Sequence, residues 1–420
     1  MTTLSADARR AYEANIWKAY LFQFLHSFQL WWPVWVIYLT DLRGFSLTEV
    51  SILETLFWIT IVLSEVPTGA VADRFGRKTS LVLAAVCVTA AVLVFGVATN
   101  FWVVLVSYVA WGFGLTFQSG ADSALTYESL KALGREREYP RVAGVTWGLF
   151  SLGTLLGMLL GAPIAAATSL SVPVLMSAGI AFAGLLVALT LREPPLAEGE
   201  ERIAYGPLIA QSARTAWRTP PVRSMIVLSA ILIAVVNPSG IFAQPFLEQH
   251  GVSVGLFGVA QAPMRIAGLI GAVAAFRLSA RFGTRGVFGA APLLIAGAYA
   301  LLAGWDSVYA FGAVGVILFV NSGMLPLTAD YLNQRIPNNQ RATILSLRQL
   351  ASSAVIVAFQ PGMGALADRA SLSWAFWTSA AVTLAALPAL WLWLQADRRE
   401  ESAPRASALD EPAAGVAPGV

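Results

Sequence analysis

Apolar runs alternate with short charged or Pro/Gly-rich breaks along nearly the whole chain. The apolar windows fall at 17–40, 46–69, 79–98, 101–130, 139–166, 172–191, 222–249, 253–279, 286–304, 308–333, 341–367 and 372–396. Each is close to the roughly 20 residues that carry a helix across a bilayer, so the pattern predicts twelve spans. The stretch 192–221 breaks the rhythm: Glu193-Pro194-Pro195 is followed by Glu198, Glu200, Glu201 and Arg202, then by an amphipathic piece from Leu208 to Trp217. It reads as a linker carrying a short interfacial helix. The expected architecture is therefore an all-α membrane protein with two six-helix bundles, 17–191 and 222–396. A segment at 1–16 precedes them, and a tail at 397–420, rich in Ala, Pro, Ser and charge, is expected to be disordered.

Composition agrees and narrows the function classes. The 420 residues are 57% hydrophobic and 12% charged, about half the charged fraction of a soluble domain, which excludes a soluble enzyme. Cys87 is the single cysteine and His26 and His250 the only histidines, so no disulfide framework or Cys/His metal site is expected. No phosphate-cradling Gly-Lys-Ser/Thr loop is present, which leaves a gradient rather than ATP as the energy source. Gly251-Val-Ser253-Val-Gly255 has the spacing of a nucleophile elbow but falls in a loop between spans, without the strand-to-helix turn that chemistry needs. Enzyme, cofactor and metal are thus all expected to be absent. Met1 to Asn15 is polar and charged, so no cleavable leader is expected.

Charge sets the orientation. Of 27 Lys and Arg, 23 fall on one side of the twelve-span plan, two (Arg43 and Arg369) on the other, and two (Arg265 and Arg348) inside spans. Basic residues near span ends stay cytoplasmic, so both termini are expected there. They are not clustered on one soluble face, and a nucleic-acid partner is not expected.

The second half repeats the first weakly. Arg74-Phe75-Gly76-Arg77-Lys78 aligns with Arg281-Phe282-Gly283-Thr284-Arg285, Glu128 with Asp330, and Arg141 with Arg341, a signature of carriers with a site between repeated bundles. The run Gly69-Ala-Val-Ala-Asp73-Arg74-Phe-Gly76-Arg77-Lys78 resembles the loop signature of the major facilitator superfamily, over about 17–396 of this chain. Ser119 to Lys131, followed by Gly134 to Tyr139, is similar to bacterial members labelled drug or metabolite exporters. Physically, Gly69 and Gly76 permit close approach and a tight turn, and a carboxylate at a helix end suits the positive N-terminus of another helix. The resemblance implies that Asp73 caps span 11 when the cytoplasmic side closes, and that Arg74 or Arg77 holds Asp73 and pairs with Glu128. Ala280 replaces the aspartate in the second copy, so Asp330 with Arg281 or Arg341 is expected to form a weaker latch.

Ionisable groups within spans are functional candidates by default. Glu54, on one face with Trp58, Ile61 and Glu65, is a candidate for proton coupling or substrate charge recognition, with a structural acceptor role as the alternative; Glu65 reads as structural. Asp122, one turn after Gln118, either titrates in the cavity or pairs with loop arginines. His26, in line with Phe22, Gln29 and Pro33, either lines the cavity or is packed. Arg265, one turn after Gln261, is expected to attract an anionic group or hold a counter-carboxylate. Asn237, Gln244, Asn321 and Gln360 complete a polar lining, beside Pro238, Pro245 and Pro361. Trp31 is expected in an interfacial belt, and Trp32 or Trp35 in an apolar wall. Gly153, Gly157 and Gly161 form a packing stripe that resembles the antiporter motif of drug/proton exchangers, with Met158 where that motif has proline.

The chain is thus expected to be a monomeric secondary transporter of a bacterial cytoplasmic membrane, exporting a small amphipathic compound in exchange for protons. Proton-coupled uptake of a small anion or metabolite is the alternative, and a non-transporting receptor or interaction protein the alternative of another class. The expected partners are the small-molecule substrate, protons and the lipid bilayer.

Overall fold

The computed structural model describes residues 5–194 and 205–402, and among them regular structure is helical. Ten segments are long and apolar enough to cross a membrane. One of them, Val254–Gly304, is two spans, because Gly283 at φ 74° turns the chain as Gly76 does at φ 97° between the second and third helices. With the N-terminal helix, too polar to qualify, the described residues hold twelve: α1 (Ala6–Ser27), α2 (Leu47–Phe75), α3 (Arg77–Val97), α4 (Phe101–Ala132), α5 (Tyr139–Ala167), α6 (Ser171–Leu189), α7 (Pro220–Gln249), α8 (257–282), α9 (284–304), α10 (Gly312–Asn333), α11 (Arg341–Arg369) and α12 (Leu372–Ser402).

Local signals start these helices where they start. Ser46 and Glu49 form a reciprocal capping box on α2, while Ser5, Asn100 and Ser371 cap α1, α4 and α12. The linker helix, Tyr205–Arg218, packs on α7 and α11 with Ser212 and Ala216 buried and Trp217 exposed. Residues 195–204, in the expected linker, and 403–420, most of the expected tail, lie outside the described residues.

Three expectations about helix limits need correction. The first helix starts at Ala6 rather than 17, because Ser5 caps it and buried Asn15 bonds to Ser129 Oγ at 2.9 Å and the Arg192 carbonyl at 2.7 Å. It then ends at Ser27 instead of running to 40, and the chain continues through short turns to Leu42. Pro33, without an N–H, sits in this break. The last helix passes Ala396 to Ser402, since Asp397 is buried there among arginines. In addition, α4 is interrupted at Ser119-Gly120, where Gly120 has φ 76°.

The break in α1 exposes backbone groups that a membrane interior cannot hydrate, each costing several kcal/mol if left unpaired. The other half of the molecule supplies the partners. Gln244 of α7 accepts from the Val36 N–H at 2.8 Å and donates to the Trp32 carbonyl at 3.1 Å, and Gln261 of α8 donates to the Pro33 carbonyl at 3.1 Å. Within its own half the break rests on the glycine stripe of α5. A Cβ on Gly157 would come within 2.7 Å of the Gln29 carbonyl, and one on Gly161 would overlap the Leu30 carbonyl outright.

Among the described residues, the hydrogen bonds that join the halves all lie toward one membrane face, the face opposite Asp73, the start of α1 and the end of α12. There Asp368 of α11 accepts from the N–H groups of Leu47 and Thr48 at 3.0 and 2.8 Å. The basic face, by contrast, leaves Asp73 56% exposed. The halves are thus latched together at the opposite face, and among the described residues no hydrogen bond joins them at the basic one.

Candidate functional site

Between the halves, behind the latched opposite face, lies a cavity of about 360 Å³. That is room for a small organic molecule. On α2, Glu54, Phe57 and Trp58 face it together, as positions three and four apart on a helix must. The break in α1 contributes Trp32 and Trp35, α4 contributes Trp111 and Leu115, and the second half brings Asn237, Gln261, Met264 and Arg265. The wall is aromatic: Trp111 stands 4.8 Å from Phe57 and 6.4 Å from Trp32 between ring centroids.

Two charges of opposite sign face this cavity from opposite halves. Among the described residues, neither Glu54 nor Arg265 has a hydrogen-bond or ion-pair partner. The Arg265 guanidinium lies 5.4 Å from the Trp32 ring centroid, a cation–π contact that holds it against the wall and leaves its N–H groups free. The Trp58 indole N–H is buried without an acceptor. An acid, a guanidinium and an indole donor in one apolar enclosure can bind a compound with an apolar body and a charged or hydrogen-bonding end.

His26, Gln118 and Asp122 are brought together elsewhere, in a second cavity of about 420 Å³ enclosed by α1, α4 and α5 within the first half. Leu115 lines both cavities. Gln118 donates to Gln23 at 3.0 Å, and Phe22 stacks on His26 at 6.2 Å. Asp122 therefore faces a cavity rather than loop arginines, but not the one between the halves.

Several expected lining residues have other work. Gln244 is 1% exposed and is spent on the backbone that follows α1, and Gln261 lines the cavity with its amide committed to Pro33 and Phe257 carbonyls. Gln29 bonds to the His26 carbonyl and to the Trp31 indole within the break. Asn321 is half-buried on α10, outside the lining of either cavity. Trp31 is 4% exposed among Trp32, Phe95 and Trp111, so it belongs to the core and not to an interfacial belt. Glu65, on the same face of α2 as Glu54, is exposed and lines neither cavity. Trp111 went unmarked because a tryptophan in an apolar run carries no positional signal.

At the basic end of the first half, Arg77 is the residue that holds Asp73, at 2.6 Å, and reaches Glu128 at 3.6 Å; Arg74 instead lies against Phe75. The turn at Gly76 is closed by Glu193, whose carboxylate accepts from the N–H groups of Arg77 and Lys78 at 2.6 and 2.7 Å. Gly69 has nothing within 4 Å of where a Cβ would stand, so no close approach occurs there in this conformation. Arg141 is exposed at the start of α5.

The expected weaker latch of the second half is replaced by a different one. Asp330 accepts from Gln334 at 2.9 Å, Arg281 lies against Phe282, and Arg341 is exposed. The network centres on Asp397, which takes Arg285 at 2.6 Å, Arg335 at 3.0 Å and the Tyr331 hydroxyl at 2.7 Å, with Glu400 and Glu401 on the same arginines. The extra turns of α12 beyond Ala396 carry these acids to the arginines.

A family model described as Major Facilitator Superfamily matches residues 19–359 and 241–417. Solved structures align over nearly their whole lengths. The nucleoside transporter NupG has 12% identity and a TM-score of 0.75, covering 92% of this chain and 99% of its own. A bacterial homologue of the human lysosomal transporter Spinster, inward-facing and unoccupied, has 17% identity and a TM-score of 0.69, covering 94% and 98%. A D-xylose-proton symporter has 16% identity and a TM-score of 0.68, covering 91% and 97%. No curated protein matches in sequence. At these identities the likeness is one of fold.

Proposed function

The chain belongs to the Major Facilitator Superfamily, whose members carry out secondary transport, and on that premise we propose that it is a proton-coupled carrier of a small amphipathic organic compound, working by alternating access. The observation that carries this reading is the unpartnered pair of Glu54 and Arg265 in one aromatic-walled cavity between the halves. A carboxylate without a partner in the protein, facing a cavity between the halves, is able to take up and release a proton as access alternates. Glu54 is then the coupling site, exposed to one side of the membrane at a time as the halves rock, while the tryptophans receive the apolar body of the substrate. Asp122 and His26 form a second titratable pair further toward the basic face, which we assign to proton passage rather than to substrate.

The lopsided distribution of Lys and Arg supports placing the basic face in the cytoplasm of a bacterial cell. Export in exchange for protons is our first reading of direction. Uptake of a small carboxylated or otherwise anionic metabolite by proton symport is the second, and the unpaired Arg265 favours it. We take the working unit to be the monomer, since the cavity is complete within one chain. Purified protein in vesicles, with a pH gradient imposed in either direction across panels of aromatic cations and aromatic carboxylates, tests the reading. Flux that follows the gradient supports it and its sign sets the direction; flux insensitive to the gradient contradicts it.

A further inference from the structure

The end of α2 and the end of α11 carry nearly the same six residues: Gly69-Ala70-Val71-Ala72-Asp73-Arg74 and Gly364-Ala365-Leu366-Ala367-Asp368-Arg369. These helices belong to different halves and run in opposite directions along their shared interface, so the two copies sit at opposite membrane faces. The copy on α11 is engaged. The Asp368 carboxylate accepts from the Leu47 and Thr48 N–H groups at 3.0 and 2.8 Å and from the Thr48 hydroxyl at 2.5 Å, seating an anion on the N-terminus of α2. Gly364, one turn earlier, makes this possible: a Cβ there would come within 2.5 Å of the Leu47 carbonyl and the Ser51 hydroxyl. In the copy on α2 the same two positions are idle with respect to the other half. Asp73 bonds to Arg77 in its own half, and Gly69 faces open space.

We propose that Asp368 is a reciprocal gate residue: the two copies are alternating latches, each capping the first turn of the helix that bears the other. In the present conformation Asp368 and Gly364 clamp α2 and close the opposite face. When the basic face closes, Gly69 takes up the close approach to α11 that Gly364 now makes to α2, Asp73 seats on the first turn of α11 from Arg341 onward, and Asp368 is released to solvent. Each latch consists of a glycine that admits the neighbouring backbone and, one turn on, an aspartate that caps it. The energy of one is thereby exchanged for that of the other, and neither end state is a trap. This rests on alternating access but on neither the substrate nor the coupling ion.

The test therefore uses the substrate-free protein at constant pH. Spin labels at Thr99→Cys and Tyr309→Cys report the opposite face, and labels at Arg137→Cys and Asn338→Cys the basic face, in a Cys87→Ser background. Asp368→Asn is expected to shift the population about tenfold toward opening of the opposite face, and Asp73→Asn about tenfold the other way. Leu47→Pro removes one of the two N–H donors at a first-turn position that tolerates proline, and is expected to shift the population in the same direction as Asp368→Asn. Opposite shifts from the two aspartates, with Leu47→Pro siding with Asp368→Asn, establish the paired latch. A distribution unmoved by Asp368→Asn, or moved in the same direction as by Asp73→Asn, overturns it, and leaves the proposal of proton-coupled transport standing on its own test.

Discussion

Gln244 of α7 holds the backbone of Trp32 and Val36 in the turns that follow α1: its amide nitrogen donates to the Trp32 carbonyl at 3.1 Å and its oxygen accepts from the Val36 N–H at 2.8 Å. One side chain thus completes a broken helix in the other half, in the wall of the cavity that Trp32 lines. Gln244→Leu keeps the volume and removes these bonds together with a longer one from the Ile37 N–H at 3.4 Å, leaving buried backbone groups unpaired at a cost of about 1–3 kcal/mol each. A lower unfolding temperature in detergent and weaker ligand binding are expected together, with a milder loss for Gln244→Asn.

The stripe on α5 makes a sharper contrast. Gly161→Ala drives a methyl into the Leu30 carbonyl and is expected to destabilise by about 1–3 kcal/mol or more, whereas Gly148→Ala, with open space around it, is expected to be neutral. Folded yield by size-exclusion chromatography of the two variants checks the difference.

These two cases also mark what a reader of the sequence can and cannot see. Glu54, Trp58 and Arg265 stand out because charge inside an apolar run is conspicuous and helical spacing says what shares its face. The break in α1 does not stand out. Among the described residues, Pro67, Pro163, Pro238, Pro245, Pro263, Pro292, Pro326 and Pro361 lie inside continuous helices, whereas Pro33 accompanies the break after α1 and Pro388 follows the two-residue turn at Ala385-Ala386 in α12. What separates Pro33 from the rest is Gln244 and Gln261 arriving from the other half, a long-range fact that also turned two expected ligand contacts into backbone partners. Asp397 was hidden differently: hydropathy ends at the membrane edge, while the helix continues to the arginines that bury the acid. Asp368 was hidden because comparing the halves in register pairs α2 with α8, never with α11.

Arg265→Ala is expected to weaken binding of carboxylated aromatic compounds about 10- to 100-fold, the value of a charge-assisted hydrogen bond of roughly 1.5–3 kcal/mol. Neutral compounds of the same shape are expected to bind nearly as before. Arg265→Lys restores part of the loss, since it keeps the charge but not the planar fork. Titration calorimetry with matched acid and ester ligands measures the split; equal losses for both would place Arg265 outside substrate recognition.

Asp73→Asn is expected to slow transport while leaving ligand affinity within about threefold, because the carboxylate lies at the basic face, away from the cavity between the halves, and contributes less than about 1 kcal/mol to either binding partner at that distance. Parallel loss of binding and transport in a folded variant would argue against a gate role.

The most direct test of the account is Glu54→Gln in reconstituted vesicles, with counterflow and gradient-driven accumulation measured on the same preparation. Counterflow exchanges loaded substrate without net proton movement and is expected to persist at a rate near that of the unaltered protein. Accumulation against a substrate gradient in response to an imposed pH difference is expected to fail. Accumulation that survives in Glu54→Gln would contradict the central claim that this carboxylate carries the coupling proton.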